Sequence, residues 1–201
     1  MISVVDYGVG NLGSIVNMFK YVGVPASIVG DAGQLSTATK ILLPGVGSFD
    51  HAMRRIDESG LRDVLTRKAL EERIPILGIC LGMQLMTRGS EEGVLPGLGW
   101  VDADVLRFPP DKDLKVPHMG WNEVRAAKES PLTAQLPDDA RFYFVHSYRV
   151  HMDRPSDSLL RCSYGVEFDA AFSVGNLYGA QFHPEKSHRF GMQLFRNFGA
   201  I

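Results

Sequence analysis

Ile74-Pro75-Ile76-Leu77-Gly78-Ile79-Cys80-Leu81-Gly82 is an apolar run that ends in a cysteine set between glycines, followed by a helix-like segment to Met86. The run reads as a buried strand, Gly78 to Gly82 as a tight turn, and the rest as a helix. Such a turn stands its central side chain proud of the strand's end. This is the nucleophile-elbow arrangement with sulfur in place of oxygen. The first N–H groups of the helix lie beside the sulfur and favour its anionic form. Far along the chain, Gln181-Phe182-His183-Pro184-Glu185 offers a base and a carboxylate to orient it. Cys80, His183 and Glu185 are then the parts of a nucleophilic acyl-transfer site.

Working outward, the first half alternates strands and helices. Strands are expected over 2–5, 26–29, 40–43 and 74–79, and helices over 11–21, 48–58, 61–72 and 81–86, with Asn11 as a candidate helix cap. This order predicts an α/β fold with a mostly parallel sheet covered by helices, catalytic loops sitting at the strands' C-terminal ends. From about Gly97 the pattern changes. Segments 99–108, 121–125, 141–151, 159–164, 166–172 and 177–181 read as strands, and 186–198 as a closing helix. The second half is therefore expected to extend the sheet with antiparallel strands. Pro109 to Leu114 reads as a polar surface loop. No repeat, linker or low-complexity stretch divides the chain, so residues 1–201 are expected to form one domain.

A length of 201 residues with 45% hydrophobic and 22% charged content suits a globular domain with a proper core. The net charge of −2 gives no reason to expect nucleic acid as a partner. Two cysteines, Cys80 and Cys162, are too few for a disulfide framework, and no metal-ligand spacing appears. A working thiol fits a reducing, cytoplasmic setting. Neither a signal peptide nor a membrane span is expected from the apolar runs.

Each candidate also has a plainer reading. A free cysteine is usually a small buried core residue, and Cys162, in a strand with no base nearby in sequence, is read that way. For Cys80 the flanking glycines and the strand-to-helix setting favour chemistry. A lone loop histidine is usually structural, but His183 has Pro184 restraining it and Glu185 within reach. His118 and His146 are assigned structural or interface roles. Pro44-Gly45-Val46-Gly47 could be a plain turn. Its functional reading is an oxyanion hole, with N–H groups at Val46 and Gly47 turned inward and a second donor at Leu81. The phenylalanines at 142, 144, 168, 172, 182, 195 and 198 are expected in the core.

Taken in order, Asp6-Tyr7-Gly8-Val9-Gly10-Asn11, Pro44 to Gly47, Gly78 to Gly82, Pro117-His118-Met119-Gly120-Trp121, Tyr143 to Tyr148 and His183 to Ser187 span almost the whole chain. Together they resemble the class I, triad-type glutamine amidotransferases, and within them the branch of glutaminase subunits serving imidazole glycerol phosphate synthases of histidine biosynthesis. The resemblance implies a flavodoxin-like fold and hydrolysis of glutamine through a Cys80 thioester. His183 would act as base and acid, with Glu185 holding it. Gln84, Glu92, Ser147 and Tyr148 would hold glutamine, Glu92 meeting its α-amino group. It implies no cofactor and no metal. It also implies a partner, a (β/α)8-barrel cyclase that receives the ammonia, faced by Asn11, Met119, Trp121, Tyr143 and Lys186. Such glutaminases are nearly inactive until the partner engages. A peptide flip around Val46 would supply the switch.

A paralogous branch sends ammonia to amidino-sugar formation in surface polysaccharide pathways. Tyr164 to Phe168 and Glu185 to Arg189 are similar to it. From other classes, a cysteine peptidase-like hydrolase would not need all these motifs together. A non-catalytic binding module would tolerate loss of Cys80 or His183.

Overall fold

The computed structural model describes residues 1–110 and 114–201, so the centre of the loop expected over Pro109–Leu114 lies outside the described residues. Four short apolar strands lead the chain: β1 (Ile2–Val5), β2 (Ala26–Val29), β3 (Ile41–Leu43) and β4 (Ile76–Ile79). Helices α1 (Leu12–Tyr21), α2 (Ala32–Ser36), α3 (Phe49–Glu58) and α4 (Arg62–Thr66) run between them, and α5 (Leu81–Leu85) follows β4. The second half holds β5 (Ala103–Arg107), β6 (His118–Glu123), β7 (Arg125–Ala126), β8 (Arg141–His146) and β9 (Tyr148–Met152). Then come β10 (Ser158–Tyr164), β11 (Val166–Val174), β12 (Leu177–Ala180) and the closing helix α6 (His188–Ala200).

Among the described residues the main sheet has eight strands in the order β2-β1-β3-β4-β12-β11-β10-β7. The strands from β2 to β12 in that order are parallel. β11, β10 and β7 add antiparallel pairings at the far edge. Each central strand is apolar on both faces, as a sheet covered by helices requires. Leu43, Val5 and Ile76 face a core built with α3, α4 and α5, whereas Leu42, Val4 and Leu77 face one built with α1 and α6. All seven expected phenylalanines are buried in these two cores, and Cys162 lies in the second.

Four local readings change. First, α2 has no counterpart among the expected helices; the Asp31 carboxylate accepts the Gln34 N–H at 2.8 Å and starts this single turn. Second, the helix expected over 61–72 stops at Thr66 and widens into a π turn over Arg67–Glu71, with Glu72 N–H reaching Arg67 O at 2.9 Å. The Asn176 amide takes the Ala69 carbonyl at 2.9 Å, so that carbonyl is satisfied from outside the helix. Third, 141–151 is two strands broken at Ser147, because β8 pairs with β6 and β9 with β5. Fourth, those two pairs are separate ribbons; of the second-half strands, β12 joins the main sheet parallel to β4, and β11, β10 and β7 extend it with antiparallel pairings.

Candidate active site

Cys80 sits between β4 and α5 with φ +52° and ψ −110°, a conformation rarely adopted by a residue with a side chain. Its N–H donates to Ala180 O on β12 at 2.7 Å, which anchors the strained peptide to the neighbouring strand. The flanking glycines are required by close approach. A Cβ on Gly78 would lie 2.7 Å from Gly82 O, and one on Gly82 would collide with the Leu43 carbonyl. The backbones of β3, β4 and α5 therefore touch directly, and the turn that exposes the sulfur cannot relax.

His183 follows β12, its N–H bonded to Tyr143 O at 2.9 Å. Its Nδ1 lies 2.7 Å from Glu185 Oε1, which leaves Nε2 for the sulfur side. Both side chains are only 4% exposed. Burial alone would depress the imidazole. The adjacent Cys80 and Glu185 outweigh it and hold the His183 pKa up at about 9. Glu185 Oε2 is buried without a hydrogen-bond partner, so its charge acts mainly on the ring.

The expected site residues converge. Val46, Gly47, Cys80, Leu81, Gln84, Glu92, Ser147, Tyr148 and His183 line one cavity of about 330 Å3. Glu185 stands behind His183. Gly47 adopts φ +93°, and Leu81 is the first residue of α5. The break at Ser147 brings the β8–β9 corner to the cavity wall. Glu92 has a structural duty: its Oε2 accepts the Phe49 N–H at 2.9 Å, capping α3 where Ser48 makes no side-chain cap. Asp50 returns the favour by accepting the N–H groups of Val94 and Leu95, each at 3.1 Å through Oδ1. The loop carrying Glu92 is thus tied to α3 from both sides. Gln84 Nε2 donates to Tyr148 O at 3.1 Å and to Gln181 Oε1 at 2.9 Å.

Three residues at the site are not singled out by the sequence as working parts. Tyr7 is buried beneath the Pro44–Gly47 turn and donates its hydroxyl to Pro44 O at 2.6 Å. Burial, then the neighbouring Cys80, pushes its phenol well above the usual range. Gln181 points Nε2 at the Cys80 sulfur, 3.8 Å away. His146 also lines the cavity. Gln181, two residues before His183, carried the best signal; buried glutamine next to a catalytic strand end is rarely idle.

The proposed partner-facing residues form a rim beside the triad. Trp121 and Tyr143 are opposite one another across the β6–β8 ribbon, ring centroids 6.4 Å apart. Met119 is 62% and Trp121 45% exposed. Lys186 Nζ lies 5.7 Å from the Tyr143 ring centroid. Asn11 caps α1 by accepting the Ser14 N–H at 3.3 Å, and it borders a small cavity shared with His183 and Glu185. Among the described residues no group of three His, Cys, Asp or Glu side chains could hold a metal ion, and no helix is long and apolar enough to cross a membrane.

An elbow cysteine, a histidine–glutamate pair and a glycine turn on a mostly parallel sheet define a class, and the chain belongs to it: residues 3–200 match the family model for class-I glutamine amidotransferases. Among its relatives, the imidazole glycerol phosphate synthase subunit HisH 2 of Pseudomonas aeruginosa is 51% identical over 198 residues, 98% of each chain. The subunit HisH of Bdellovibrio bacteriovorus is 48% identical over the full length of both. The solved structure of a glutamine amidotransferase from Thermotoga maritima superimposes with TM-score 0.66 at 18% identity, covering 98% of this chain and 81% of that one. At that identity the likeness concerns the fold.

Proposed function

We propose that this chain is the glutaminase subunit of an imidazole glycerol phosphate synthase, hydrolysing glutamine and passing ammonia to a (β/α)8-barrel cyclase. The observation that carries the reading is the strained Cys80 with the His183–Glu185 pair behind it, inside a cavity edged by Gly47 and Leu81. Near-half identity with relatives named HisH supplies the particular pathway.

His183 takes the Cys80 thiol proton, and the sulfur attacks the side-chain carbonyl carbon of glutamine, forming a C–S bond and a tetrahedral oxyanion. N–H groups at Val46 or Gly47 and at Leu81 receive that oxyanion; losing one such donor costs on the order of 100-fold or more. The C–N bond breaks, and protonated His183 gives its proton to the departing ammonia. Water, activated by the now neutral His183, cleaves the thioester and releases glutamate. Glu185 holds the ring throughout. Gln84, Glu92, Ser147 and Tyr148 hold the substrate, Glu92 through the α-ammonium group. The exposed rim of Met119 and Trp121, with Tyr143, Lys186 and Asn11, is the surface for the barrel, of a type suited to binding hot spots. A peptide rotation around the exposed Val46 is the step by which the partner would switch on the site.

The test is glutamate release by the purified chain, alone and with a barrel cyclase carrying its nucleotide ligand. Strong stimulation, lost by about 10⁴-fold or more in Cys80→Ala, is the expected result. Activity only with a barrel from a sugar-modifying pathway would move the ammonia's destination. No release with either would overturn the glutaminase reading.

A further inference from the structure

At the wall of the substrate cavity and just behind it lie two buried histidines, His146 and His118, that the mechanism above does not use. His118 is 2% and His146 6% exposed. Their rings are joined directly, His118 Nδ1 to His146 Nε2 at 2.9 Å. The other end of each ring is also occupied. His146 Nδ1 meets the Tyr148 carbonyl at 2.8 Å, and His118 Nε2 meets Asn122 Nδ2 at 3.2 Å.

The direction of every bond in this chain is determined. A carbonyl only accepts, so His146 Nδ1 must carry a proton. Neutral His146 then accepts at Nε2, and His118 Nδ1 must donate to it. His118 Nε2 is left as an acceptor. Asn122 supplies the matching donor, and its orientation is fixed independently: its Oδ1 accepts the Glu123 N–H at 2.9 Å while Nδ2 also donates to Ser163 O at 3.0 Å. The polar path continues inward. The Tyr148 carbonyl that receives His146 also receives Gln84, Gln84 holds Gln181, and Gln181 points at the Cys80 sulfur.

We propose that His118 and His146 are positioning residues that hold the Tyr148 wall of the glutamine site, linking it by a one-way hydrogen-bond chain to β6, the strand bearing exposed Met119 and Trp121. The proposal rests on the glutaminase reading for its kinetic part only. The pair is built to stay in one state. His118 is sandwiched between Tyr164 at 4.0 Å and Phe144 at 4.7 Å between ring centroids, so it cannot turn over. A proton added to either ring would set two N–H groups against each other. Tyr164 stacks on His118, and His146 shares its cavity wall with Cys80, Glu92, Tyr148 and His183. The neighbouring charges that act on His146 are His118 and His183, and both disfavour a cation there. Because Tyr148 O is shared between His146 and Gln84, loss of the relay releases the wall that meets the substrate while the triad itself stays in place.

Two measurements test this. Nitrogen-15 spectra of labelled histidine in the wild-type chain should show both rings neutral with the proton on Nδ1, near pH 7 and again near pH 5. A proton on Nε2, or a cation at neutral pH, in either ring would overturn the relay. The second is KM for glutamine in His118→Phe and His118→Asn, with the cyclase present. Phenylalanine keeps the stack but removes the donor, leaving His146 Nε2 unpaired. KM should rise about tenfold, as for an unsatisfied buried acceptor, with kcat nearly unchanged. Asparagine restores an amide donor near the Nδ1 position and should recover most of the loss. The opposite ranking, Phe tolerated and Asn impaired, would mean a packing role and refute the proposal. If the Phe variant does not fold, the Asn variant and the wild-type spectra still decide. A wild-type protein that released no glutamate would defeat the functional reading, while the spectra would judge the relay on their own.

Discussion

Three buried histidines lie within one small region and have been driven in opposite directions. His183 is held up at about 9, while His118 is pushed down to about 4 and His146 to about 3. Burial is the largest influence on all three, and it always favours the neutral ring. What differs is the neighbour. His183 has Cys80 and the carboxylate of Glu185; His118 and His146 have each other, aromatic faces and a backbone carbonyl. The same side chain is thus suited to carry a proton where it follows β12 and to stay a neutral connector where it joins β6 to β8. Burial sets the cost of charge, and only a charged partner repays it.

The sharpest way to break this contrast is to remove the partner. Glu185→Gln keeps the shape and a hydrogen-bond acceptor but takes away the negative charge. His183 should then fall from about 9, although Cys80, the larger of the two influences that raise it, stays in place. The imidazolium proposed to serve ammonia departure becomes less abundant, and the ring is no longer held by a charge. We expect kcat for glutamine hydrolysis to drop by about 10³–10⁴-fold, with KM little changed. The pH–rate profile of the variant, compared with wild type, measures both effects at once. A profile identical to wild type would mean that Glu185 does not govern His183.

Stability against pH separates the two sites by sign. The native pKa of His183 is raised above its unfolded value near 6.5, so its contribution is complete below that pH and is lost as pH rises through about 9. The loss is on the order of 3 kcal/mol. For His118 and His146 the native values are depressed, so the unfolded chain takes up protons first. Their contribution is complete above about 6.5 and is lost as pH falls toward 4 and then 3. Each ring then steepens the acid limb by about 1.4 kcal/mol per pH unit. Denaturant melts across the range should show a slope of each sign. His183→Gln should flatten the alkaline limb alone, and His118→Phe should take about half of the pair's share from the acid limb.

The contrast also shows where sequence reading stops. The parallel half was legible because its strands are continuous apolar runs and its loops carry glycines where backbones must meet, as at Gly78 and Gly82. The candidate triad was legible because Cys80 and the His183–Glu185 pair each carry their own local signal, and the fold brings them together. The antiparallel half was less so. Alternation marks a strand but not its partner, and the break at Ser147 exists only because β8 and β9 choose different partners. A structural or interface role was expected for His118 and His146, but their direct contact was not legible, because nothing in either local sequence announces that β6 and β8 pair them. The cap that Glu92 places on α3 was not legible, because it depends on a loop folding back across the chain.

The smallest expected effect concerns the two cysteines, which repeat the histidine comparison in sulfur. Both are buried, Cys80 at 7% and Cys162 at 1% exposure. Cys80 stands at a strained turn between two glycines, beside an imidazole. Cys162 lies within β10, opposite Phe168 on β11, and burial pushes its thiol up to about 12. It should therefore act as a small apolar side chain and nothing more. Cys162→Ala removes one buried heavy atom and should cost about 1 kcal/mol in a denaturant melt while leaving kcat and KM for glutamine unchanged. Alkylation sharpens the point. Iodoacetamide should modify the wild-type chain once, at Cys80, with loss of activity, and Cys80→Ala should take up none under native conditions. Uptake at Cys162 would mean that β10 opens locally, and the second core would then be far looser at that edge than its packing implies.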